Sequence, residues 1–107
     1  CKKTCEIIED TVNELSDLKI KPLTIGGEHS LTIGVLNSLT KKYNNLTVVH
    51  LDAHRDLADT FIGEPYSHAS VMKRVHGQLQ RKRKILLKTS QISQHLKIMM
   101  YFIIWTI

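Results

Sequence analysis

Between Thr4 and Leu18 the apolar residues Ile8, Val12 and Leu15 recur every three to four positions, flanked by Ile7 and Leu18, with Glu and Asp on the other face. This spacing predicts an amphipathic helix with Thr4 as its N-cap, and Pro22 bars it from continuing. The run Pro22-Leu-Thr-Ile25 ends at Gly26 and Gly27. It is too short for a helix and predicts a buried strand closed by a glycine turn. Ser30 to Tyr43 returns to helical spacing, with Leu31, Val35 and Leu39 on one stripe and Lys41 and Lys42 in the last turn, where cations suit the helix dipole. After a turn at Asn44 and Asn45, Leu46 to Leu51 is nearly all β-branched or apolar, the pattern of a strand covered on both faces. Residues 57–66 contain Gly63 and Pro65 and read as a loop, after which Val71, Met72, Val75 and Leu79 open a third helix.

Helix, strand, helix, strand, helix is the order of an α/β fold with a parallel sheet and helices packed against it. Two strands make no sheet that stands alone, so the 107 residues read as a fragment of a larger domain. The chain starts at Cys1 with no signal-peptide layout, which extends the fragment reading upstream and makes a cytoplasmic location the default.

Composition narrows this further. With 42% hydrophobic and 23% charged residues, the chain is neither disordered, collagen-like nor membrane-spanning. Two cysteines exclude a disulfide scaffold, and Cys1 and Cys5, one turn apart, read as reduced thiols. The net charge of +5 is unevenly placed: the ten acids all lie at or before Glu64, against nine Lys and Arg in residues 1–76, while residues 77–107 carry six bases and no acid. The basic run Arg81 to Lys84 has no aromatic stacking platform and reads as a solvated stretch, not a nucleic-acid determinant. The apolar run Ile98 to Ile107 is half the length needed to span a bilayer as a helix, and its β-prone, uncharged character makes it an aggregation hazard.

Chemistry gathers at Leu51-Asp-Ala-His-Arg-Asp56, just past the second strand. In extended chain, side chains alternate, so Asp52, His54 and Asp56 can share one side and offer two carboxylates and an imidazole to a divalent ion such as Mn²⁺. Ligand sites of open α/β sheets lie beyond the carboxyl ends of strands, where His29, after Gly26-Gly27-Glu28, joins them if the two strands are parallel neighbours. His68, on a loop after Pro65, can fold back over the same place. His50 is read as turned away from the cluster, in a packed or supporting role. His76 and His95 have no chemistry-bearing neighbours in sequence.

Taken together, Gly26-Gly-Glu-His-Ser30, Val49-His-Leu-Asp-Ala-His-Arg-Asp56 and Gly63-Glu-Pro-Tyr-Ser-His-Ala-Ser70 closely resemble the motifs of the arginase and agmatinase family, the manganese ureohydrolases, in order and at the family's spacing. The third phrase is more similar to bacterial-type agmatinases than to arginases. The resemblance covers roughly residues 4–76 and implies a three-layer αβα parallel-sheet fold, present here in part. It implies that His29, Asp52, His54 and Asp56 are ligands of a binuclear manganese site bridged by Asp52, and that His68 transfers a proton. It also implies a small guanidino substrate, agmatine, hydrolysed to putrescine and urea, with arginine, guanidinobutyrate or formiminoglutamate as the alternatives, and intact relatives that are homo-oligomeric.

No Asp follows Asp59, so the family's later Asp-x-Asp carboxylates are missing. Residues 1–76 are therefore expected to be a partial ureohydrolase domain carrying the metal motifs. Residues 77–107 are expected to be a non-homologous basic and apolar tail that reads as translation out of frame. The chain by itself is expected to be inactive, binding metal weakly and without catalysis.

Overall fold

The computed structural model describes residues 1–44, 46–52, 54–78 and 84–88. The expectations for Asn45, for Leu79, for Arg81 to Arg83, for His95 and for the Ile98–Ile107 run lie outside these residues. The elements are helices α1 (Lys2–Asp17) and α2 (Leu31–Lys42), strand β1 (Thr47–Leu51), a single 3₁₀ turn (His68–Ser70), helix α3 (Val71–Gln78) and strand β2 (Lys84–Lys88). Strand β2 lies parallel to β1, in register from Thr47 opposite Lys84 to Leu51 opposite Lys88. Parallel neighbours need a crossover connection, and α3 lies within it, giving a β1–α3–β2 unit. The class is α/β with a parallel sheet, two-stranded among the described residues.

The first helix starts at Lys2, earlier than its expected Thr4 cap, with Cys1 in the N-cap place. It buries Cys5 and Val12, with Ile8 packed against the core, and leaves Ile7 and Leu18 largely exposed. Its end is a Schellman motif: the Lys19 N–H donates to the Ser16 carbonyl and the Ile20 N–H to the Leu15 carbonyl, while Lys19 takes the left-handed conformation at φ 60°. The chain then runs extended through residues 20–26 and returns to the level at which α1 began.

The two long helices consequently run parallel. Their contacts ascend together: the Cys5 thiol reaches the Ser30 carbonyl, the Asn37 amide and Lys41 reach Glu9, the Ser38 hydroxyl donates to Asn13 at 2.6 Å, and Lys42 reaches Asp17. The helices come closest at Gly34, where an added Cβ would stand 2.5 Å from the Cys5 carbonyl oxygen and 2.9 Å from Ile8 Cβ. Helix α2 is central. Beyond the expected stripe it buries Ile33, Gly34, Leu36, Ser38 and Thr40, because it packs on α1 and α3 and shares one core with Leu46 and Val48 of the strand side. Helix α3 contributes Val71, Met72 and Val75 to that core.

Two expectations about the sheet are corrected. Pro22–Ile25 forms no strand, and Leu23 and Ile25 are 85% and 89% exposed. A strand needs a neighbour to take its backbone hydrogen bonds, and none stands beside this segment among the described residues. Strand β1 is not covered on both faces by the described residues: Leu46, Val48 and His50 are buried while Thr47 and Val49 are half-buried, a one-sided alternation. No described helix is long and apolar enough to cross a membrane.

The crossing of α1 on α2 makes a direct prediction. Gly34→Ala must push backbone from backbone, and such overpacking should cost about 1–3 kcal/mol, read as a lowered chemical-denaturation midpoint. Lys19→Gly should do the reverse. Removing the side chain from a left-handed position should stabilise by up to about 1 kcal/mol, measured in the same way.

Candidate metal centre

The site is built at the carboxyl end of β1. His50 ends the core-facing series Leu46, Val48, His50, and Asp52 follows it at the same parity; both are buried. Alternation stops there. The His54 N–H donates to Asp52 Oδ1 at 2.8 Å, an Asx turn that bends the chain out of the strand. His54 is thrown outward, its side chain 78% exposed, although its Nδ1 stays 3.3 Å from Asp52 Oδ1. Two residues on, Asp56 adopts the left-handed conformation at φ 50°, which Asp tolerates better than most residues and which turns its carboxylate back toward the strand. The Asp56 carbonyl is tied down by the N–H of Lys73 in the first turn of α3, at 3.2 Å.

His29 arrives from the other direction, at the N-terminus of α2. Glu28 braces that end, its Oε2 accepting from both the N–H and the hydroxyl of the N-cap residue Ser30, and the Thr32 N–H donates to the His29 carbonyl at 3.0 Å. His29 therefore reaches the cluster without the strand pairing on which its convergence had been made conditional.

The four side chains His29, His50, Asp52 and Asp56 place one donor atom each within 4.8 Å of all the others. His29 Nδ1 lies 2.8 Å from Asp56 Oδ2 and 4.0 Å from Asp52 Oδ2; His50 Nε2 lies 3.6 Å from Asp52 Oδ2 and 3.7 Å from Asp56 Oδ2. The two imidazoles stack with centroids 5.4 Å apart and planes 22° from parallel. Burial, followed by the His29 imidazole, holds the His50 pKa below its ordinary value against the opposing pull of Asp52 and Asp56. That direction favours the neutral imidazole, the form in which an imidazole ligates a metal. His50 Nε2 and Asp56 Oδ2 are buried with imidazole or carboxylate atoms of the same cluster as their nearest polar neighbours. Buried polar atoms are normally satisfied, and a cation placed among these donors would satisfy both.

Of the residues singled out from sequence, His29, Asp52 and Asp56 meet in the cluster and His54 stands at its rim. His68 lies apart, exposed at the start of the 3₁₀ turn with its ring 4.9 Å from that of Phe61. Phe61 belongs to a tight hairpin: it exchanges both backbone hydrogen bonds with Glu64 across Ile62 and Gly63, both at positive φ. This is the geometry of a mirror-image two-residue turn. His50 is the residue that had been turned away. The period of two from Val48 through His50 to Asp52 carries the signal that places it inside. A separate cleft of about 310 Å³ opens between the end of α1, the extended segment and α2; it is lined by Ile20, Leu23, Leu31 and Tyr43 and takes in Glu28 but none of the four donors.

Comparison with known proteins places this arrangement. The profile of the arginase family matches residues 1–99, running past the end of α3 and through β2. An uncharacterized 32.2 kDa protein of Methanothermus fervidus is 41% identical over 75 residues, which cover 70% of this chain and 26% of that protein. An agmatinase of Bacillus cereus is 36% identical over 74 residues, covering 69% of this chain and 26% of the enzyme. Among solved structures, an arginase from Medicago truncatula superposes with a TM-score of 0.70 at 30% identity, over 80% of this chain and 28% of its own. The chain thus spans about a quarter of the length of the curated relatives it matches, and its α/β fold is the arginase-like fold in part.

Because Glu28 holds the helix end that presents His29, its removal should be felt. Glu28→Ala should cost about 1 kcal/mol, the net worth of a hydrogen bond, whereas Glu28→Gln, whose amide oxygen still accepts, should cost less than half of that. Denaturant titration of the three proteins side by side measures both.

Proposed function

This chain belongs to the arginase family, and from that premise we propose that it is the metal-motif segment of an agmatinase-like ureohydrolase, cleaving the guanidino group of agmatine to putrescine and urea. The observation that carries the reading is the buried convergence of His29, Asp52 and Asp56 at the end of β1. The agmatinase of Bacillus cereus among the relatives supports the substrate class.

In this reading His29, Asp52, His54 and Asp56 hold manganese. The division of Asp52 between two surroundings supports a bridging role: Oδ2 faces the buried imidazoles, while Oδ1 faces His54 at the rim. Manganese, when bound, supplies Lewis acidity and a water acidic enough to attack at neutral pH. The remaining carboxylates of a two-ion site would have to come from outside these 107 residues, which hold no acid after Glu64.

His68 is assigned the proton-transfer role. It is exposed, with its ring against that of Phe61, where a departing amine can reach it. The tight turn at Ile62 and Gly63 sets the position of Phe61 and, through it, that of His68.

A chimera tests the proposal. Residues 1–76 replacing the matching segment of the Bacillus cereus agmatinase should leave an enzyme that releases urea from agmatine with Mn²⁺. Asp52→Ala in that chimera should abolish activity and manganese content together. His68→Ala should lower turnover about 10²- to 10⁴-fold with manganese content unchanged. The 107-residue chain by itself should release no urea. A chimera that prefers arginine would overturn the substrate assignment, and manganese lost in step with activity in His68→Ala would move His68 from proton transfer to ligation.

A further inference from the structure

We infer that Arg74, on α3, is a positioning residue for His68: its guanidinium clamps the preceding loop against the helix and so fixes where the His68 imidazole stands. The inference rests on the proton-transfer role given to His68 above, but its geometric half can be tested without catalysis.

The two limbs of the loop are held differently. It leaves the cluster at Asp56 and returns at His68, and residues 57–67 form no helix or strand that could order them. On the returning limb Tyr66 packs on the core, and the buried Ser67 sets its hydroxyl 3.0 Å from that of Ser70. The outgoing limb has no such anchor, for Leu57, Phe61 and Ile62 are all exposed. Ordering a chain segment costs conformational entropy, so polar ties must hold this limb in place. One lies at its neck, where the Ala58 N–H donates to the Ala69 carbonyl at 3.0 Å. The others come from α3 and meet at Asp59.

Two side chains of α3 reach that residue, and they are not equivalent. The Lys73 ammonium lies 3.1 Å from the Asp59 carboxylate, but both groups are exposed, and water and salt weaken such a surface pair. The Arg74 guanidinium instead donates through Nη2 to the Asp59 carbonyl. Its target is main chain, so the bond fixes the course of the backbone two residues before Phe61. The Phe61 ring in turn lies 4.9 Å from that of His68. Arg74 and His68 stand on one continuous stretch, the 3₁₀ turn and α3. The clamp therefore sets the loop against the same element that carries His68.

A second observation concerns the same side chain. Arg74 Nε is buried and has no partner among the described residues. A buried donor left unpaired is unfavourable, and an arginine on a surface helix avoids it by turning its guanidinium out to water. Arg74 lies down against the loop instead, the posture that its bond to the Asp59 carbonyl imposes. Without that bond, the Phe61 hairpin is tied to the body only at the Ala58 neck and by a screened surface pair.

Nuclear Overhauser spectroscopy on the full 107-residue chain reads the geometry, and the agmatinase chimera described above reads its consequence. Arg74→Met keeps the aliphatic stem and removes every donor. It should abolish the cross-peak between the Phe61 and His68 rings while those of the core residues Val71 and Val75 remain. In the chimera it should lower turnover about 10- to 100-fold, the scale of a misplaced catalytic group, with manganese content and the KM for agmatine unchanged. In the His68→Ala background the same substitution should lower turnover less than about twofold, because a residue that acts through His68 has nothing left to act on. A merely structural role would give the same factor in both backgrounds. Arg74→Lys, which still has a donor for one carbonyl, should restore the cross-peak and most of the turnover, and Lys73→Gln should alter neither. Persistence of the ring cross-peak in Arg74→Met, its loss together with the core cross-peaks, equal factors in the two backgrounds, or a Lys73→Gln protein matching Arg74→Met would each overturn the assignment. A parent chimera that releases no urea would sink the ureohydrolase reading and leave the cross-peaks to decide the clamp.

Discussion

Two carboxylates and two imidazoles held out of water at one strand end are the constraint to which the rest of this chain answers. Burying a carboxylate costs several kcal/mol unless charge or hydrogen bonds repay it. Among the described residues, Asp52 receives a backbone N–H on one oxygen only, and Asp56 Oδ2 receives none. The positive charge that balances such a pair comes from an imidazolium or from a cation, and the four donors lie close enough together to hold the latter.

Holding four such groups together takes three separate stretches of chain. The N-terminus of α2 brings His29, the end of β1 brings His50 and Asp52, and the loop beyond it brings Asp56. Helix α2 is the element that aligns them. It is buried on two sides and locked to α1 by a glycine contact and a ladder of polar pairs, so its N-terminus has little freedom to move relative to the strand. The chain concentrates its packing behind the helix that carries His29.

Much of this was legible in the residues. Helical spacing located α1 and α2, the β-branched run located β1, and the Asp-x-His-x-Asp phrase located the chemistry. What escaped has physical reasons. Alternation was carried two residues beyond the strand, where an Asx turn and a left-handed Asp instead place His54 at the rim and Asp56 inside. His50 was set aside although it shares parity with Asp52. The Pro22–Ile25 run has the composition of a strand, but pairing is a property of two segments, and its own residues cannot say whether a neighbour is present. Strand β2 was hidden for a related cause: Lys84-Ile-Leu-Leu-Lys88 follows a basic run whose charge masks a short apolar core.

The hydrogen bond from the Lys73 N–H to the Asp56 carbonyl joins the site to α3. Asp56 holds a left-handed backbone in order to aim its carboxylate inward, so whatever neutralises that carboxylate also favours the loop geometry that satisfies the first turn of the helix. By thermodynamic linkage, the chemical potential of the ion then becomes a variable of folding. At a free concentration one hundred times its dissociation constant, an ion that binds only the native state adds about 2.7 kcal/mol to stability. For a chain this small that would be a large share of the total, and an ion bound at the cluster would help to secure the helix within the β1–α3–β2 crossover.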